Sequence, residues 1–397
     1  MEKVSRKVTS TILSMSLLTV MAGAAIAPAL GIIKQHFADA PDIFIQLIVS
    51  IPALFIILTN LFFMPISQRM RTRTIALTGL LLYIVAGAGC FFINDIYLLL
   101  GMRSILGISV GLIMPLSTGL LAYYFPPEEQ ARLMGLSAAM NQMGGVVATL
   151  LAGILAIIDW NNAFLVYLLG LIAVAMVFLW LPDAQLGTSN KRGKAFEPRQ
   201  LLKFHPSVTG MLLTMIIFFV FPTNFAIITA HQTSLSITII TMIMVGLDLV
   251  AFFVGLSFGK LMQWFRQPIK YFAPICFFFG YGCFTFANGA FWIIVGSAFV
   301  GIAVGLSVPY LNTIASIKGG KNSATTVMPL LSAALYLGQF VSPLLITPLA
   351  KQIFGENDMT GPYKITLIIC LLFLFQVWAT RHYQSLPPVA SASRTDR

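Results

Sequence analysis

The chain has 397 residues, of which 58% are hydrophobic and only 9% charged, with a formal net charge of +11 and a mean hydropathy of +0.90. Soluble domains carry about 25% charged residues, so water-soluble enzymes, nucleic-acid binders and disordered chains are excluded. About 20 apolar residues cross a bilayer as a helix, and this length has room for roughly a dozen such spans.

The apolar runs predict twelve membrane helices, at 8–33, 43–67, 74–93, 96–121, 132–157, 162–181, 208–230, 236–263, 270–287, 289–316, 325–350 and 362–381. Helices are expected because each must satisfy its own backbone hydrogen bonds in lipid. The N-terminus has the outline of a signal peptide, but the run from Val8 to Ile33 is too long for one and lacks a convincing cleavage site, so it reads as the first span. A connection at 183–206, rich in Gly, Pro, Lys and Arg, separates an N-terminal six-helix bundle (1–182) from a C-terminal one (207–384), with a tail at 385–397.

The positive charge sits in short clusters between the spans. Twenty of the 24 Lys and Arg fall on the side of the two termini, Lys34, Lys351 and Lys364 fall on the other, and Arg103 lies inside a span. The positive-inside rule therefore predicts both termini in the cytoplasm of a cell-membrane protein. The four cysteines all lie within apolar runs and read as buried thiols. The four histidines are scattered near span ends, and no phosphate-binding G-x-x-x-x-G-K-[ST] occurs. No metal, cofactor, ATP-driven step or enzyme activity is expected.

An internal repeat runs through the chain at an offset of 194 residues. LGISVGLIMP (Leu106–Pro115) pairs with VGIAVGLSVP (Val300–Pro309), and the same offset pairs Pro28 with Pro222 and Gly144 with Gly338. Parallel repeats of this kind place a substrate site between the halves, near the midplane.

These residues resemble the major facilitator superfamily, including its bacterial drug-efflux members, over nearly the whole chain. The loop MPISQRMRTRTIAL (Met64–Leu77) is similar to the family's G-x-L-a-D-R-x-G-R-K motif, with Arg69 and Arg73 at its basic positions and Gln68 where Asp is usual. LLLGMRSILG (Leu98–Gly107) is similar to l-x-x-x-R-x-x-q-G, with Arg103 and Gly107 in place. Val147 and Ala148 stand where drug antiporters carry a Gly-Pro pair, and DWNNAFLVYLLG (Asp159–Gly170) resembles the family's entry to span six. The resemblance implies an all-α integral membrane protein built from two six-helix parallel repeats. It also implies a cavity lined mainly by spans one, four, seven and ten.

Asp248 is the one acid expected at mid-depth and Arg103 the one base. A charge at the bilayer centre costs about 3 kcal/mol on insertion scales, so each is kept either for function or for a helix contact. Asp248 is a candidate for proton coupling or for an interhelical bond. Arg103 is a candidate for the proton relay or substrate contact, or for a fixed bridge to a backbone carbonyl. Asn141, Gln142, Asn224, Asn312, Tyr336 and Gln339 are candidates for the substrate cavity, with interhelical hydrogen bonding as the other reading. Pro28, Pro115, Pro222 and Pro309 bend their helices, either to let them rock as part of gating or as static kinks. Arg69 and Arg73 are candidates for an inner gate.

The expected function is proton-coupled antiport, with efflux of small amphipathic organic compounds by alternating access. Uptake of an organic anion by proton symport, and a lipid-handling or sensory role, are the alternatives. The expected partners are a small-molecule substrate, protons and the bilayer, with the chain acting as a monomer and without nucleic acid.

Overall fold

A computed structural model describes residues 6–125, 127–183, 198–232, 235–265, 268–286, 289–319 and 327–381. The residues 184–197 of the expected linker and the expected tail 385–397 lie outside that set, while 198–206 begin the helix Pro198–Gln232. Among the described residues, twelve helical spans are long and apolar enough to cross a membrane. In order they are Arg6–His36, Asp42–Phe63, Thr72–Phe92, Ile96–Leu121, Leu136–Leu155, Trp160–Trp180, Phe204–Ala230, Ile237–Phe265, Ile269–Phe286, Ala290–Ala315, Leu330–Phe354 and Gly361–Ala379. They are called spans one to twelve below. With an even number of spans, Arg6 and Ala379 lie on one side, termed proximal; the other side is distal.

Large apolar side chains cover the outside of the bundle. Phe92, Ile158, Trp264 and Phe286 are each more than three-quarters exposed. Soluble monomers rarely expose contiguous apolar surface beyond a few hundred Å², so the solvent of this face is lipid, and the chain is a multi-pass membrane protein.

The repeat in the sequence is a repeat in the packing. A Cβ built on Gly107 would meet Pro52 O at 2.4 Å, and one on Gly301 would meet Leu247 O at 2.7 Å. Gly111 and Gly305 likewise press on Thr59 of span two and on Ala251 of span eight. Gly144 meets Leu17 O, and Gly338 meets Leu212 O. Small residues let membrane helices cross backbone to backbone. The same two crossings therefore build both halves: span four on two, and five on one, matched by ten on eight, and eleven on seven.

Three expected spans are less regular than a single α-helix, and span three is one of them, closing as a 3₁₀ stretch at Gly89–Phe92. Span one stops at Ala24, passes through a 3₁₀ turn at Ala27–Ala29 and resumes at Leu30. Pro28 supplies the cause, since it has no N–H to donate and its ring crowds the preceding turn. Span six opens as a 3₁₀ stretch, Trp160–Leu169, before Gly170–Trp180 continues as α-helix. Pro115, Pro222 and Pro309, by contrast, lie inside uninterrupted helices.

Candidate functional site

The break in span one has an electrostatic consequence. A helix that ends at Ala24 leaves its last carbonyls without intrahelical donors. In span two, Pro52 leaves the carbonyl of Ile48 without one for the same reason. Arg103 answers both: its Nε donates to Ile48 O at 2.6 Å and its Nη2 to Ala22 O. The remaining Nη1 donates to the Tyr167 hydroxyl, which itself donates to Ala22 O at 3.0 Å. The guanidinium is 0% exposed. Gly107, one turn along span four, brings the helices close enough for this contact by lying on Pro52.

Asp248 stands about three turns below the distal end of span eight, at 3.6 residues per turn. It is half-buried at the boundary between the halves, where Thr149 Oγ1 of span five donates to its Oδ2 at 3.2 Å. Among the described residues no Lys or Arg forms an ion pair with it. Nearby, a Cβ on Gly153 would strike the Thr241 side chain at 2.2 Å, so spans five and eight touch closely toward their distal ends. Arg103 and Asp248 are not brought together. One is sealed inside the N-terminal half, and the other faces across the interface.

The uncharged candidates divide. Asn141 accepts from Thr19 Oγ1 at 2.9 Å and joins spans five and one. Asn224 is 3% exposed and accepts from Gln46 Nε2 of span two at 2.7 Å. Tyr336 of span eleven donates to Met114 Sδ of span four at 2.9 Å. Gln339 lies 3.9 Å from Met215 Sδ. Gln142 is exposed and Asn312 half-buried.

On the proximal side, Arg73 donates to Phe178 O and lies 5.1 Å from the Phe178 ring centroid. Arg71 pairs with Asp183 at 2.8 Å, and Arg69 is exposed. These contacts tie the loop after span two to the end of span six in its own half. Asp183 thus meets an arginine of the loop whose own motif acid is replaced by Gln68.

Several contributing residues escaped the sequence reading. Thr149 and Tyr167 are ordinary members of apolar runs, and no spacing marks them. Gln46 is an amide in an apolar run, a signal of the same kind that singled out Asn224. Asp42 and Lys351 sit at span ends and look solvated, but their carboxylate and ammonium groups lie 2.9 Å apart across the two halves.

Comparison with known proteins adds the following. The family model described as Major Facilitator Superfamily matches residues 12–343. The quinolone resistance protein NorA of Staphylococcus aureus (strain Mu50) is 26% identical over 220 residues, 53% of this chain and 54% of NorA. The riboflavin transporter RibZ of Clostridioides difficile (strain 630) is 25% identical over 173 residues, 43% of this chain and 37% of RibZ. The alignments thus span about half or less of these curated relatives. Among solved structures, a bacterial homologue of the human lysosomal transporter Spinster, inward-facing and occupied, superposes with a TM-score of 0.77 at 14% identity. That match covers 96% of this chain and 98% of that one. A D-xylose-proton symporter superposes with a TM-score of 0.71 at 15% identity, covering 94% and 97%. At these identities the structures speak for the fold alone.

Proposed function

As a member of the major facilitator superfamily the chain is a secondary transporter rather than an enzyme, and we propose that it couples proton entry to the export of small amphipathic organic compounds by alternating access. The carrying observation is the position of Asp248. It is a carboxylate at membrane depth, without a basic partner among the described residues, on the surface where the two halves meet. A lone carboxylate there is costly unless protonated or hydrogen-bonded. Movement of the halves changes its access to water, and that is the requirement for taking a proton on one side and releasing it on the other. Similarity to a quinolone resistance protein supports export and an amphipathic substrate.

In this reading the proximal side faces the cytoplasm of a cell-membrane protein, and the chain works as a monomer. The cavity between the halves is lined by Gln142, Asn312, Tyr336 and Gln339, with Asn141 and Asn224 holding neighbouring helices in place. Arg103 is assigned to holding the broken span one, since all three of its donor nitrogens are engaged within one half. Pro28 makes the break on which span one pivots, and Pro115, Pro222 and Pro309 soften the other cavity-lining helices.

The test is Asp248→Asn, which keeps the shape and cannot titrate. In everted vesicles it should reduce proton-driven uptake of a fluorescent amphipathic cation at least about tenfold, while gradient-free counterflow in proteoliposomes persists. Uphill transport at the wild-type rate would make Asp248 structural. Proton-driven flux into intact cells would reverse the direction proposed.

A further inference from the structure

Resting on the alternating-access reading, we propose that Gln46 is the clamp that holds the distal side shut, because its amide bonds two side chains of the opposite half at once. Its Nε2 donates to Asn224 Oδ1 of span seven at 2.7 Å. Its Oε1 accepts from Thr347 Oγ1 of span eleven at 2.6 Å. Gln46, Asn224 and Thr347 are 2%, 3% and 6% exposed. Asn224 is held in turn by its own helix, donating to Val220 O at 3.1 Å and to Thr223 Oγ1 at 3.0 Å. A primary amide has both donors and acceptors, and here each end of Gln46 meets a C-terminal-half partner of the right kind.

A second rung lies one helical turn further out on both helices. Asp42 precedes Gln46 by four residues, and Lys351 follows Thr347 by four. Lys351 Nζ stands 2.9 Å from Asp42, which also receives Lys34 at 3.0 Å. This outer rung joins the same two spans, but its side chains are 19–41% exposed. Exposed ion pairs contribute little, while a buried hydrogen bond is costly to leave unmade. The weight therefore falls on the inner rung. The ion pair covers it from water, and the amide carries the closure.

The network also explains how the clamp can release. When the distal ends part, water enters from that side and takes over the freed donors and acceptors. The closed state is favoured by geometry and burial rather than by an irreplaceable bond. On the proximal side of the midplane, the halves are bridged by Tyr336 and the weakly accepting Met114 thioether. The two sides therefore differ in the chemistry that holds them.

The experiment is hydrogen–deuterium exchange on the full chain in lipid nanodiscs, without substrate or proton gradient. Gln46→Leu removes both bonds at similar volume, and Thr347→Val removes one at constant shape. The decisive readout is the amides of 145–155 and 240–248, the distal parts of spans five and eight, with which Gln46 makes no hydrogen bond. Opening of the whole distal side should raise their exchange at least about tenfold in Gln46→Leu and about fivefold in Thr347→Val, at about fivefold per bond. Lys351→Ala should raise it about twofold or less. Unchanged exchange at those segments, or an increase confined to 42–50 and 343–351, would overturn the clamp. A Gln46→Leu protein that opens in this way, while the wild type moves no protons, would keep the clamp and remove the coupling reading alone.

Discussion

In the N-terminal half Arg103 binds the carbonyls of Ala22 and Ile48. The position 194 residues later is Ser297, whose hydroxyl turns back to Ile293 O in its own helix at 2.8 Å. The difference follows from the helices each half must hold. Span one is broken at Pro28, whereas span seven runs unbroken through Pro222. A helix that ends offers several free carbonyls to a cation, whereas a proline inside a continuous one frees a single carbonyl. The C-terminal half ties span seven with a neutral group instead, Tyr281 Oη donating to Ile217 O at 2.6 Å. The imbalance runs the other way for acid. Asp248 of span eight has Leu54 as its counterpart in span two. The glycine crossings recur in both halves because backbone contact admits nothing larger. The charged groups occur once each, so the scaffold is duplicated and its chemistry is not.

The largest effect that would break this comparison is at Arg103. Arg103→Leu strands the Ile48 carbonyl in a dry interior and leaves Ala22 O with the Tyr167 hydroxyl as its one side-chain donor, and should cost about 3 kcal/mol or more. Ser297→Ala, which removes one bond to a carbonyl of its own helix, should stay within about 1 kcal/mol. Arg103→Lys should recover little, because an ammonium cannot reproduce the planar fork that reaches three acceptors. Thermal midpoints of the purified proteins in one detergent measure all three. If Arg103→Leu kept its midpoint and lost only proton-driven flux, Arg103 would belong to the relay.

A smaller contrast concerns the paired glycines. A Cβ on Gly144 would fall 1.9 Å from Leu17 O, a backbone atom that cannot swing aside, whereas one on Gly338 would lie 2.8 Å from Leu212 O. Overpacking costs about 1–3 kcal/mol, so Gly144→Ala should lie near the top of that range and Gly338→Ala near the bottom. The same midpoint measurement decides. Equal losses would mean that the two crossings are held equally tightly.

How much of this was legible in the sequence depends on the kind of force involved. The spans and the repeat were legible because lipid imposes a length and an apolar composition on each helix, and because Gly107, Gly111 and Gly144 recur at one offset. Asp248 and Arg103 stood out because charge is rare in such runs. What they touch was not legible. Ala22 O and Ile48 O are backbone atoms, and a sequence carries no mark of which carbonyl a proline will free and which distant side chain will reach it. Gln46, Thr347 and Thr149 were missed because uncharged polar residues are tolerated in any membrane helix, and only their convergence from opposite halves gives them meaning.

The smallest contrast lies in the proximal loops. Positions 69, 71 and 73 are all arginine in the first half, while their counterparts in the second are Gln263, Phe265 and Gln267. In the structure Arg73 and Arg71 hold Phe178 O and Asp183 of their own half. The Arg71 side chain is 74% exposed, so these contacts contribute at most about 1 kcal/mol to stability. Their value in the proposed cycle is kinetic. Proximal closure brings this loop toward the other half, and the arginines are then the donors available to helix-end carbonyls there. With Gln68 in place of an acid, the motif's own residues give them no carboxylate to lean on, so the latch is a weak one. Replacing Arg69 and Arg73 together by Ala should therefore leave the midpoint within about 1 kcal/mol and slow turnover in proteoliposomes by about two- to fivefold. Gln263→Ala in the second half should change neither. Wild-type turnover in the double variant would remove the gating role from this loop and leave its arginines as topology signals alone.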